Sequence, residues 1–438
     1  MQSEYQKNSL TLYDAIAMGT GVMIGAGILA LTGQIAELAG PYFPFAFVSG
    51  AIVTAFSAYT YVKMSNAFPS AGGIGMILQK AYGPTTVTAG AALLMALSMV
   101  INESLVARTF ASYLLRGFDL AASGWPIPAI SVAVILFAWI VNASGNRSVG
   151  LFSTIMAILK VCGIALFGFA ALWAGGFSFE ATGEGSGLGG ITGFVASTAL
   201  AILAFKGFTT ITNSGAEITD PHRNVGRAIV AAIVICILVY LLVAFAIGSS
   251  LPLEKIVEAK DYSLAEAARP ALGRIGFYLT VALALVATAS GLIASMFAVS
   301  RMLAMLTEMK LVPHSHFGMP GVIRDHTLVY TVVVAALLAV FFDLSQIASL
   351  GAFFYLVMDI IIHWGVFRHL RDDIGARGWI MLTAIGLDAI VLIAFAVLKW
   401  QQDPSIVAYA LAGICVVFVF VRIFLHFNPP NEAKHEMG

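Results

Sequence analysis

Five ionisable side chains fall inside long apolar stretches of this 438-residue chain: Glu103, Lys160, Lys206, Asp359 and Asp388. Among lipid tails a charged group costs at least a few kcal/mol unless it is paired or hydrated, so each is a candidate for binding, charge relay or structural pairing. Lys160 sits at the middle of its stretch, too deep to snorkel from either end, and a desolvated amine is a group that can take up and release a proton. Glu103 and Lys206 suit a buried pair, with Lys206 alternatively meeting a bound solute. Asp359 and His363 stand four residues apart, the spacing of a local hydrogen bond on one helix face. Asp388 reads as structural. Ser290, Ser295 and Ser300 read as helix-packing hydroxyls, any of which could instead face a site.

A second kind of chemistry lies in the backbone. Gly19-Thr20-Gly21-Val22-Met23-Ile24-Gly25-Ala26-Gly27-Ile28 places four glycines within nine positions in the middle of an apolar stretch. Such a run lets a helix unwind and present its N–H and C=O groups. Ala204-Phe205-Lys206-Gly207-Phe208-Thr209 is a similar interruption, and Gly27 and Gly207 are 180 residues apart. Paired interruptions at corresponding places in two halves point to a solute site at mid-membrane depth. Half-helix N-termini offer amides to a carboxylate, and freed carbonyls accept from an ammonium. A zwitterion fits both. The bland alternative is close helix packing through small residues.

The elements that must hold these groups follow from composition. Apolar residues make up 60% of the chain and charged ones 11%, too few charges for a water-facing surface, so the fold class expected is all-α integral membrane. At about 20 apolar residues per span, twelve spans are expected near 13–38, 42–66, 85–115, 127–142, 149–174, 190–214, 225–249, 273–306, 327–342, 346–367, 379–399 and 405–427. Met1 to Leu12 is polar and the first apolar stretch has span length, so no cleavable signal is expected. Lys63, Lys80, Arg223, Arg227, Arg368, Arg371 and Arg377 fall on one side, which puts both termini in the cytoplasm. Lys63 to Pro84 reads as a Gly- and Ser-rich cytoplasmic loop, and Leu251 to Pro270 as the one long external connection, with a helical run at Leu264–Ala268. A cytoplasmic segment 1–12 precedes the spans and a cytoplasmic tail 428–438 follows them.

The exclusions are equally direct. Net charge is zero and no basic face is clustered, so no nucleic-acid partner is expected. Cys162, Cys236 and Cys415 are far apart inside apolar stretches and match no metal or disulfide spacing. No nucleophile–base constellation or metal cluster stands out, so neither an enzyme nor a cofactor is expected.

Several pieces resemble the amino acid–polyamine–organocation superfamily of permeases: Asp14-Ala15-Ile16 through Ile28, Ala39-Gly40-Pro41, Pro69-Ser70-Ala71-Gly72-Gly73 and Phe205-Lys206-Gly207-Phe208. Most specific is Ala216-Glu217-Ile218-Thr219-Asp220-Pro221-His222-Arg223-Asn224-Val225-Gly226-Arg227-Ala228-Ile229; Arg301 and Leu311-Val312-Pro313 also match. The resemblance implies two inverted five-helix repeats, 13–175 and 190–370, with peripheral helices over 378–427, working by alternating access. It implies a substrate site at Met23, Ile24, Gly25, Ala26 and Gly27 and at Leu203, Ala204, Phe205, Lys206, Gly207 and Phe208. There Gly25, Ala26 and Gly27 bind a carboxylate, and the carbonyls of Met23, Leu203, Phe205 and Lys206 hold an amine. A lysine at the place of Lys160 stands, in some sodium-independent relatives, where sodium sits in sodium-coupled ones. Lys160, with Glu103 next, is thus the expected proton-coupling residue.

The expected function is a proton-coupled, sodium-independent amino acid transporter of the cell inner or plasma membrane. Its partners are amino acid, protons and lipid. The alternatives are an amino acid/metabolite exchanger or polyamine carrier, and, less in keeping with the residues, a channel or nutrient sensor. Thr209 stands where many relatives carry an acid, Ile218 where a second acid follows the first, and Gly226 where proline is common. Some relatives are joined by a disulfide to a partner subunit through the loop between spans 3 and 4. That loop here, Arg116 to Pro126, contains no cysteine, so no such partner is expected.

Overall fold

Lipid offers no hydrogen bonds, so each spanning segment must satisfy its own backbone, and a helix does so within one segment. A computed structural model describes residues 9–70, 72–120, 124–144, 146–179, 181, 190–313 and 323–428. Residues 1–8 and 429–438, Ala71 and the side chain of Ala26 lie outside the described set, and with them most of the two expected terminal segments. The described residues form fifteen α-helices joined by short 3₁₀ turns, with no strand among them.

Helices cover each of the expected stretches. Nine helical segments among the described residues are long and apolar enough to cross a membrane. The first, Leu12–Ala67, joins two helices, and two more apolar helices, Ile158–Ala174 and Asp325–Phe341, are shorter. The protein is a multi-span helical membrane protein.

Helix starts follow from local chemistry. α1 (Leu12–Ala39) opens on a capping box, in which the Asp14 amide donates to the Thr11 hydroxyl and the Thr11 amide to the Asp14 carboxylate. It ends at Gly40, whose φ of 60° turns the chain into α2 (Phe43–Ala67). α4 (Thr86–Gly117) is capped by Thr85. α5 (Pro126–Ala143) and α9 (Pro221–Ser250) begin on proline, which lacks the amide that a first turn leaves unpaired.

The expected loop Lys63 to Pro84 is corrected. α2 continues to Ala67, and α3 (Gly73–Tyr82) occupies the second half. Its Ile74, Ile77, Leu78 and Ala81 follow a helical stripe and are buried. Counting glycines hid that stripe. The connection Leu251 to Pro270 is helical as well. α10 (Leu253–Glu258) precedes α11 (Ser263–Glu308), which holds the Leu264–Ala268 run and bends at Gly273, where φ is 68°.

α1 runs through the interior against α6 (Asn146–Ala174), α7 (Gly190–Phe205), α9 and α11. α12 (Ile323–Phe341) and α13 (Leu344–His369) pack against α4, while α14 (Gly378–Gln402) and α15 (Pro404–Phe427) are mostly exposed.

The most specific sequence motif closes one face of the bundle. Arg301 on α11 pairs with Glu217 at 2.9 Å and stacks on Phe297. Glu217 also anchors the chain start: the Leu10 amide donates to the Glu217 carbonyl at 3.0 Å, and the Thr219 amide returns to the Leu10 carbonyl at 2.8 Å. Both charges are largely buried, so removing Arg301 leaves the Glu217 carboxylate poorly compensated, and removing Glu217 takes one partner from the guanidinium. Glu217→Ala and Arg301→Ala should each lower stability by about 1–3 kcal/mol, the penalty range for removing one partner of a buried hydrogen bond. In thermal melts of purified protein the double variant should lose less than the sum of the two.

Candidate functional site

Both expected interruptions are present, and they are narrower than the glycine count suggests. In α1 one residue, Ile24, leaves the helical region, with φ −82° and ψ 35°. In the second, α7 ends at Phe205, a 3₁₀ turn covers Lys206–Phe208, and α8 (Thr209–Asn213) resumes. A 3₁₀ turn inside a longer helix marks a hinge or a strained sequence. The two breaks touch: a Cβ on Gly207 would stand 2.9 Å from the Met23 amide nitrogen.

Their glycines serve close approach as well as exposure of backbone. A Cβ on Gly27 would stand 2.8 Å from the Ala204 carbonyl and would collide with the Tyr240 hydroxyl. One on Gly25 would sit 3.1 Å from the Ala287 carbonyl of α11. The packing reading and the site reading therefore describe the same residues.

Carbonyls freed at the breaks are met from neighbouring helices. The Tyr240 hydroxyl of α9 lies 2.6 Å from the Met23 carbonyl and 3.0 Å from that of Ala204. Its ring packs on Phe205 and Phe47. The Lys206 carbonyl accepts from the Thr209 hydroxyl at 2.8 Å. So the threonine that replaces an acid bonds within its own turn. Two of the four carbonyls expected to hold an amine, those of Met23 and Lys206, thus already have a donor, although each keeps a second lone pair.

Lys160 reaches from α6 to both α1 and α11. Its ammonium on α6 donates to the Gly21 carbonyl of α1 and, at 3.2 Å, to the Ser290 hydroxyl of α11. Lys160 is 2% exposed and, among the described residues, pairs with no carboxylate. Ser290 faces this lysine, whereas Ser300 bonds back to the Phe297 carbonyl in its own helix.

The Glu103–Lys206 pair is not made. Lys206 reaches α4 but donates to the Ser98 carbonyl at 2.6 Å and to its hydroxyl at 2.9 Å. Glu103, one helical turn further on, is fully buried with neither carboxyl oxygen hydrogen-bonded. A backbone oxygen and a hydroxyl at the height of Lys206 captured the ammonium before the carboxylate could. Asp359 and His363 do approach, at 3.3 Å. Asp388, on α14, is fully buried, 3.9 Å from His363.

The site is enclosed. Met23, Ile24, Phe205 and Phe208 are at most 1% exposed. Beyond the Glu217–Arg301 closure on one face, the opposite face is closed over Gly33, whose Cβ would collide with the Lys260 backbone. There Lys260 pairs with Glu37 at 2.9 Å, and the Gln34 amide donates to Asp261 at 2.8 Å. Burial pushes the Asp261 carboxyl above its usual range, against the pull of Lys260. Tyr240 escaped the sequence reading. Its only signal is a lone hydroxyl in the middle of a very apolar helix.

A family model described as amino acid permease matches residues 10–434. An uncharacterized protein of Methanocaldococcus jannaschii is 28% identical, over 96% of this chain and 95% of its own length. The inner membrane transport protein YbaT of Escherichia coli is 25% identical over 94% and 96%. Cationic amino acid transporter 7, chloroplastic, of Arabidopsis thaliana is 25% identical over 92% and 73%.

The contacts rank the glycines. A Cβ on Gly291 of α11 would meet nothing closer than Gly25 Cα at 3.9 Å. Gly291→Ala should therefore leave the melting temperature near wild type, whereas Gly27→Ala and Gly207→Ala should lower stability by about 1–3 kcal/mol, the usual penalty of overpacking. Equal melting temperatures for the three variants would contradict the close contact between the breaks.

Proposed function

The chain belongs to the amino acid permease family, and on that premise we propose that it carries a neutral, zwitterionic amino acid across the membrane by alternating access, coupled to protons and independent of sodium. Its inverted halves are residues 13–175 and 190–370, residues 378–427 are peripheral, and both termini are cytoplasmic. The solute's carboxylate meets the backbone at Gly25, Ala26 and Gly27, and its ammonium meets carbonyls between Leu203 and Lys206, where half-helix ends direct opposite dipoles.

The observation that carries the coupling is Lys160. A buried ammonium that bridges Gly21 of α1 and Ser290 of α11, with no carboxylate partner among the described residues, supports the reading that a side-chain charge does what a bound cation would do. While protonated it ties α1 to α11. On losing its proton it keeps the amine but drops the charge that holds the Gly21 carbonyl, which biases α1 toward another position. Two lysines, Lys160 and Lys206, flank the breaks without a carboxylate within ion-pair distance, and their repulsion works against a cationic solute. That weighs against the polyamine reading.

The test uses purified protein in proteoliposomes. Uptake should be unchanged when choline replaces sodium and should rise as external pH falls. Lys160→Ala should lose accumulation driven by an imposed pH gradient. Lys160→Arg should lose it too, because a guanidinium keeps its proton in a protein. An arginine variant that still concentrates substrate would make Lys160 a structural charge. Counterflow separates a carrier from a channel, since only a carrier accelerates exchange when substrate is on both sides. Unlabelled neutral amino acids should compete for uptake, and putrescine at the same concentration should not.

A further inference from the structure

A second buried polar cluster lies away from the α1 and α7 breaks, between α2, α13 and α14. Asp359 and His363 come from α13 and Asp388 from α14, and all three are 0% exposed. Asp359 is well supplied with donors: the Tyr61 hydroxyl at 2.5 Å on one oxygen and the Ser57 hydroxyl at 2.7 Å on the other. His363 Nδ1 lies 2.9 Å from the Thr60 hydroxyl. Its Nε2 faces both acids, at 3.3 Å from Asp359 and 3.9 Å from Asp388. Asp388 is different. Neither of its carboxyl oxygens has a hydrogen-bond partner, nor does His363 Nε2.

Two ionised carboxylates and a neutral imidazole would put two uncompensated negative charges in the low-dielectric interior. Among the described residues no lysine or arginine pairs with either acid. The titratable groups facing Asp388 are Tyr61 from α2 and Tyr355, Asp359 and His363 from α13. α7, which also packs on α14, carries no ionisable side chain. Phenols supply no positive charge. Only protons or a bound cation can balance the cluster.

We propose that Asp359, His363 and Asp388 form a proton-binding site distinct from Lys160, with one proton held by Asp388 as a neutral acid and a second shared by His363 and Asp359. Asp359, which accepts from two hydroxyls and faces His363 Nε2, keeps the negative charge, since donors favour the anion they bond. Asp388, which none faces, takes the proton, and the cluster is then neutral overall. The site touches the transport machinery through one residue. Tyr61 donates to Asp359 and packs its ring edge-on against Phe208, with centroids 5.2 Å apart. Phe208 lies in the 3₁₀ turn of the second break. Loss of a proton would strengthen the pull on the Tyr61 hydroxyl and so act on that turn.

Infrared spectroscopy of reconstituted protein at pH 7 reads this directly and needs no substrate, so it stands apart from the carrier reading. The carbonyl stretch of a protonated aspartic acid should appear in wild type, vanish in Asp388→Asn and persist in Asp359→Asn. Glu103→Gln controls for the other buried acid. Should Asp388→Asn fail to purify, ¹³C-labelling of aspartate in wild type decides instead, because it shifts an aspartic acid band and leaves a glutamic acid band in place. Absence of any protonated aspartate at pH 7 overturns the proposal. So does one equivalent of a divalent metal in the purified protein, since the cluster would then be a metal site.

Discussion

Inside a bilayer a polar group has only the protein to bond to, and this one constraint organises the bundle. Every regular helix meets it alone. The breaks at Ile24 and Lys206–Phe208 do not, because they release carbonyls that a continuous helix would use. The surrounding helices supply the missing donors: Tyr240 from α9 at Met23 and Ala204, Lys160 from α6 at Gly21, and Thr209 within the second break at Lys206. Each donor comes from an element that packs on α1 or α7. The neighbours are therefore fixed by what the breaks need as well as by apolar contact.

Close approach follows from the same constraint. A donor on one helix reaches a carbonyl on another only where the backbones are near, and side chains stand in the way. Gly27 and Gly207 remove them. Gly27 lets Tyr240 and the Ala204 carbonyl come up to α1, and Gly207 lets the second break sit on Met23. A glycine-rich run in a membrane helix is thus both the reason that the helix can leave its regular path and the reason that its neighbours can repair it.

The spans and the positions of both breaks were legible in the sequence, because hydropathy and glycine clustering are local signals. Lys160 was legible for the same reason: a charge at the centre of an apolar run has few places to go. Partners across helices were not. Glu103 and Lys206 looked complementary, yet the ammonium found Ser98, a nearer backbone oxygen. Pair formation depends on the rotation of two helices about their axes, which periodicity constrains only to a face. The approach of Asp388 to His363 was illegible for the same reason, since nothing in the α14 sequence shows that its buried edge meets His363. The helix α3 was missed for a different reason: its four buried aliphatic residues are spread among glycines, and composition outweighed spacing.

The placement of charge carries the argument further. Positive groups, Lys160 and Lys206, lie beside the breaks and bond to backbone or hydroxyl oxygens. Acidic groups, Asp359 and Asp388, lie in a separate cluster joined to the second break through Tyr61 and Phe208. Had the lysines been paired with these acids, each charge would have been quenched locally and a proton lost from one would have mattered little elsewhere. Held apart, each group depends on its own proton for neutrality or for bonding, and each touches a different break. Under the proposed coupling, a change at Lys160 would reach α1 through the Gly21 carbonyl. Under the proposed proton site, a change at the acid cluster would reach the turn after α7 through an aromatic contact. On the proton-coupled reading proposed above, the two breaks would answer to proton occupancy through independent contacts, and both contacts are made in the enclosed arrangement seen here.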